Sequence, residues 1–121
     1  MKPLHLEDSM EYALLIYGRP ATPSGPVNED IAAVLARPDV TGWLRLRSDE
    51  SATTLRVNEG KTLLTDGPFI DSKEYLAGLI MIDVENLDAA LDIAQALQDA
   101  RSVGGGGIEV RPAIEGLFRG A

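Results

Sequence analysis

Cysteine is absent from this chain of 121 residues, and histidine occurs once, as His5. The first absence removes disulfides, thiolate nucleophiles and zinc–thiolate sites together. The second removes any histidine cluster for a metal, and Glu7, Asp8 and Glu11 lack ligand spacing. No metal or cofactor is therefore expected. Positive charge is also scarce: 11 lysines and arginines face 19 acids, for a net charge of −8. Such a surface repels nucleic-acid phosphates and anionic lipids, so the expected partners include no nucleic acid and no membrane. No apolar run approaches the roughly 20 residues that cross a bilayer, and residues 1–10 lack a signal-peptide core. A cytoplasmic protein is expected.

What remains is an ordinary globular composition, 45% apolar and 25% charged, in a chain long enough for one core. A single domain over 1–121 is expected, with 1–10 as a loose leader. Residues 12–17 are continuously apolar and read as a strand, closed by a proline- and glycine-rich loop over 18–26. Asn28 can cap a helix carrying Ile31, Val34 and Leu35 on one face, which Pro38 ends. Residues 41–47 and 53–57 are strand-like. A turn at Asn58-Glu59-Gly60 then returns the chain along 61–65 as a hairpin. The strongest strand covers 75–84. Asn86 caps an amphipathic helix with Leu87, Ala90, Leu91, Ala94 and Leu97 on one stripe, and 108–111 is a final short strand. This order predicts an α+β fold: a ferredoxin-like βαββαβ plan with an inserted β-hairpin and an antiparallel sheet.

The strand over 76–84 is apolar on both faces. Leu76, Gly78, Ile80, Ile82 and Val84 alternate with Ala77, Leu79 and Met81, and polarity returns only at Asp83. A sheet with one wet face should alternate, so both faces are expected to be covered. Two helices cover one. The simplest cover for the other is a second copy packed sheet to sheet in a homodimer. The leader or the hairpin folding over that face is the alternative.

The candidate site lies at Thr65-Asp66-Gly67-Pro68-Phe69-Ile70-Asp71-Ser72-Lys73-Glu74. Asp66, a carboxylate at a rigid turn beside the sheet, suits a substrate proton or amine. It could equally accept backbone N–H bonds and only shape the loop. Gly67 and Pro68 read as structural, since proline fixes its own φ and glycine admits conformations closed to other residues. Phe69 could line a pocket or plug the core. Lys73 and Glu74 could orient an anionic ligand or form a solvated ion pair, and Arg111 could hold substrate charge. The Gly104–Gly107 run has a helix before it and a strand after it, the reverse of a phosphate loop, and reads as a connection. Trp43, Tyr12, Tyr17 and Tyr75 could line a cleft between sheet and hairpin, although core or dimer packing is their expected fate.

The ten-residue turn resembles the signature of the bacterial YCII-related proteins of the DGPF type, and the likeness covers most of residues 11–112. It includes the opening strand, the hairpin arm over 53–57, the strand end Ile82-Asp83-Val84 and the closing Ile108-Glu109-Val110-Arg111-Pro112. The resemblance implies a ferredoxin-type domain forming a dimeric α+β barrel, and for some members a gene neighbourhood with extracytoplasmic-function sigma factors. Better-known YCII-like proteins use a His-Asp pair with the histidine on the first helix, and residues 27–38 hold none. The stretch before Trp43 is shorter than the family's, and Asp71 stands where glutamate is usual. Three functions follow in order: a small-molecule-binding or regulatory dimer with a cleft near Asp66; a cofactor-independent lyase or isomerase for a small organic acid with Asp66 as acid/base; and an interaction protein without a ligand.

Overall fold

The computed structural model of the protein describes residues 9–18, 27–69, 74–101 and 106–116. Strand β1 (Met10–Gly18) is followed by helix α1 (Glu29–Leu35), strand β2 (Val40–Arg45) and a short 3₁₀ turn (Asp49–Ser51). Strands β3 (Thr53–Asn58), β4 (Lys61–Asp66) and β5 (Tyr75–Val84), helix α2 (Leu87–Ala100) and strand β6 (Ile108–Pro112) complete the order. A four-stranded antiparallel sheet runs β2-β5-β1-β6, and β3 pairs with β4 in a sheet of their own. This is the ferredoxin-like plan with its inserted hairpin.

Both helices start as their caps require. The Asn28 side chain accepts a hydrogen bond from the Ile31 N–H at 2.8 Å, and the Asn86 side chain accepts one from the Ala89 N–H at 2.9 Å. The Asn28 amide also donates to the Ala100 carbonyl at 3.1 Å, tying the start of α1 to the end of α2. The two helices cover one face of the sheet. There Tyr12 and Leu14 of β1, Ile80, Ile82 and Val84 of β5, and Ala90, Ile93, Ala94 and Leu97 of α2 form the buried core with Val34 of α1. Burying such side chains contributes about 1.5–3 kcal/mol each, which outweighs the weak helix propensity of a helix as short as α1.

The opposite face carries no helix. Its central row sets Leu44 beside Leu79, Leu79 beside Leu15, and Leu15 beside Glu109. The next row runs Gly42, Met81, Ala13 and Arg111. The hairpin does not fold over these rows. It forms its own two-stranded sheet and exposes Leu55, Val57, Leu63 and Leu64. Its tight turn has Glu59 at φ 52° and Gly60 at φ 78°, the conformation that matches the twist of a two-residue hairpin.

An ion pair fixes the entry to β2. Arg37 donates from Nε to Asp39 Oδ1 and from Nη2 to Oδ2, both at 3.1 Å, while the Asp39 carbonyl accepts from the Asp83 N–H at 2.9 Å. The Arg37 hydrogen bonds hold the Asp39 carboxyl below its ordinary range. A depressed carboxylate stabilises the fold above its unfolded pKa, and that contribution is lost as pH falls through the folded value. Both side chains are partly exposed, so Asp39→Asn is expected to cost less than about 1 kcal/mol at pH 7. The deficit should shrink below about pH 4 in thermal unfolding of variant and parent.

Candidate functional site

The turn after β4 is built by the backbone. Gly67 sits at φ 109°, a region glycine enters without steric cost. Its N–H donates to the Ala52 carbonyl at 2.7 Å, and its carbonyl accepts from Thr54 Oγ1 at 2.8 Å. The turn is thereby fastened to the start of β3. Asp66 closes the ladder opposite Thr53 with its side chain exposed. That side chain accepts no hydrogen bond from the described residues, so the turn's shape does not come from an Asp66 side-chain bond. Phe69 plugs no core: it is 66% exposed and lies under the Arg56 guanidinium, 5.3 Å from ring centroid to cation.

The other expected site residues are dispersed. Lys73 lies outside the described residues, as do Asp71 and His5. Glu74 accepts from the Gly106 N–H at 3.2 Å, joining the start of β5 to the connection that enters β6. Arg111 stands on β6, the sheet edge opposite β2, where its Nε lies 3.7 Å from Glu109 Oε2. Of the 65–74 turn's described residues Pro68 lines a cavity, and so does Tyr75 just after the turn.

That cavity is an open one of about 360 Å³, lined by Leu46, Ser48, Asp49, Ala52, Pro68 and Tyr75 among others. It lies where the chain leaves β2, makes the 3₁₀ turn and later returns past Pro68 into β5. Ser48 caps the 3₁₀ turn, its Oγ accepting from the Glu50 N–H at 3.3 Å. Asp49 follows in the first turn, where the positive end of the backbone dipoles favours a carboxylate. One of its oxygens, Oδ1, is shielded from solvent and has no hydrogen-bond partner. Buried polar atoms are normally satisfied, and leaving one bare costs about 1–3 kcal/mol.

Asp49 is the residue the sequence hides. Its one signal is Ser48 ahead of two acids, a pattern that opens helices generally and marks no ligand. No group of three or more potential metal ligands occurs among the described residues, and no helix there is long and apolar enough to cross a membrane.

Comparison with known proteins returns a family and no reaction. The sequence model of the family described as "YCII-related domain" matches residues 10–115. An uncharacterized protein of Rhizobium meliloti is 38% identical over 114 residues, covering 85% of this chain and 91% of the relative.

Proposed function

This chain belongs to the YCII-related domain family, and we propose that it works as a homodimeric small-molecule-binding domain whose ligand sits beside the 66–69 turn. The observation that carries this reading is the cavity that Asp49 and Pro68 of the turn line together. In this reading Asp49 accepts a hydrogen bond from an amine, amide or hydroxyl of the ligand. Leu46, Pro68 and Tyr75 supply the apolar walls that such sites typically combine with a few placed polar groups. Asp66, exposed at the end of β4, adds negative charge to the approach. The dimer is a separate part of the proposal, supported by the helix-free face of the sheet and its row of Leu15, Leu44 and Leu79.

Stability separates a ligand group from scaffolding. A carboxylate kept for a ligand is a burden to the empty protein, so Asp49→Ala is expected to raise stability by about 1 kcal/mol. That corresponds to a few degrees in the thermal midpoint of a domain of this size. Asp66→Asn, at an exposed site, should leave the midpoint unchanged. A lowered or unchanged midpoint for Asp49→Ala would make Asp49 ordinary scaffolding and remove its support for the site.

A further inference from the structure

The hairpin of β3 and β4 presents two unlike faces. Residues directly opposite in an antiparallel pair share a face. Leu55 with Leu64, Val57 with Thr62 and Thr53 with Asp66 therefore stand on one, and Thr54 with Thr65 and Arg56 with Leu63 on the other. The second face has cover from its own chain. Thr54 donates from Oγ1 to the Gly67 carbonyl at 2.8 Å, and the Arg56 guanidinium lies 5.3 Å from the Phe69 ring centroid, so the 66–69 turn lies against it. The first face is bare: Leu55, Val57 and Leu64 are 61%, 66% and 68% exposed. A two-stranded sheet without cover is marginal in water, and no other strand of the described residues pairs with this one.

The area that a dimer needs points to the cover. A stable interface buries about 800 Å² on each partner, more than half of it apolar. On the helix-free face of the main sheet Leu15, Leu79, Met81 and Ala13 are already half-buried by their neighbours, and Leu44 is 47% exposed. With about 100 Å² for a fully exposed aliphatic side chain, that face offers about 200 Å² of apolar area, less than half of the requirement. Leu55, Val57 and Leu64 together offer as much again. Charge agrees with this. Two copies of a chain at −8 repel, but over residues 53–66 Arg56 and Lys61 balance Glu59 and Asp66, so the hairpin adds nothing to that repulsion.

We propose that the hairpin is a dimerisation arm: the face of Leu55, Val57 and Leu64 on each protomer lies against a second copy of this chain. The inference rests on the homodimer proposed above and adds the surface that completes its interface.

Light scattering of the full-length protein over a dilution series reads the contact as a dissociation constant. Leu55→Asp is expected to weaken the dimer by about 100-fold or more, because two-fold symmetry places two carboxylates in the apolar contact. Leu63→Asp, the same change on the covered face beside Arg56, should leave the constant within about threefold of the parent. Circular dichroism checks that both variants fold. The chain has no cysteine, so Leu55→Cys supplies a unique thiol with a milder change. That thiol should react with a maleimide about tenfold more slowly where the dimer is populated than after dilution to monomer, while the Leu63→Cys thiol reacts alike at both concentrations. A parent protein that stays monomeric would overturn the dimer and the arm together. With a dimeric parent, equal dissociation constants for folded Leu55→Asp and Leu63→Asp, or a Leu55→Cys thiol equally reactive at both concentrations, would overturn the arm and leave the sheet-to-sheet dimer standing.

Discussion

Gly106→Ala is expected to destabilise the protein by about 3 kcal/mol, from left-handed backbone strain of about 1–2 kcal/mol and overpacking of similar size. Gly106 sits at φ 80°, and a Cβ on it would overlap the Tyr17 carbonyl oxygen, with the Tyr17 carbonyl carbon at 2.8 Å and Gly18 Cα at 2.9 Å. These are backbone atoms of β1 that cannot turn aside as a flexible side chain would. The approach is held from several sides. The Tyr17 N–H donates to the Gly107 carbonyl at 2.9 Å, Arg101 donates to the Tyr17 carbonyl, and Glu74 accepts from the Gly106 N–H. Adding a methyl group therefore has to displace the path that feeds β6 into the sheet. Gly107 is the internal control, since a Cβ there meets nothing within 4 Å. Gly107→Ala should stay within about 0.5 kcal/mol of the parent in urea unfolding. Equal midpoints for the two alanine variants would show that the chain does not make this close approach.

The four-glycine run illustrates what a sequence discloses and what it withholds. Its position between a helix and a strand excludes a phosphate loop, and the connection is where the order of elements places it. The demand at Gly106 is invisible, because it arises from Tyr17, far away in the chain and adjacent only through the pairing of β6 with β1. Local signals fare best. Asn28 and Asn86 cap the helices, Pro38 stands just beyond the end of α1, and Asn58-Glu59-Gly60 makes the hairpin, each within a few residues of its cause. From these the ferredoxin-like order follows, with strand ends displaced by a residue or two. Strand β2, for example, spans Val40–Arg45 where residues 41–47 read as extended, because Ser48 begins to cap the 3₁₀ turn.

The candidate site is less legible for the same reason. The 66–69 turn is evident as a turn, and its fastening to Ala52 and Thr54 agrees with the structural reading of Gly67. The chemistry beside it depends on tertiary contacts. Glu74 is engaged with Gly106, 32 residues away, and Phe69 is covered by Arg56 from the neighbouring strand. Asp49 belongs to a segment without periodicity, so nothing in its neighbours' pattern announces that one oxygen is shielded and unmet.

Leu79→Asp is expected to convert a dimer into a folded monomer, the largest change of state that a single substitution on this surface should produce. Leu79 occupies the middle of the helix-free face, flanked by Leu15 on β1 and Leu44 on β2, with Met81 and Ala13 in the adjoining row. An isologous sheet-to-sheet dimer places each such residue near its own copy or a neighbour, so one substitution introduces two carboxylates into one apolar contact. Burying an unpaired carboxylate costs at least several kcal/mol, enough to shift an association constant by three or more powers of ten. The protomer itself should survive, because its core of Leu14, Ile82 and Ile93 lies on the other face of the sheet and touches none of this. Light scattering at micromolar concentration is expected to give twice the 13.0 kDa chain mass for the parent and the single mass for the variant, with unchanged circular dichroism. A parent protein that scatters as a monomer would sink the sheet-to-sheet dimer. So would a Leu79→Asp variant that remains dimeric, since association would then run through another surface, with the exposed Leu55, Val57 and Leu64 of the hairpin the first to test.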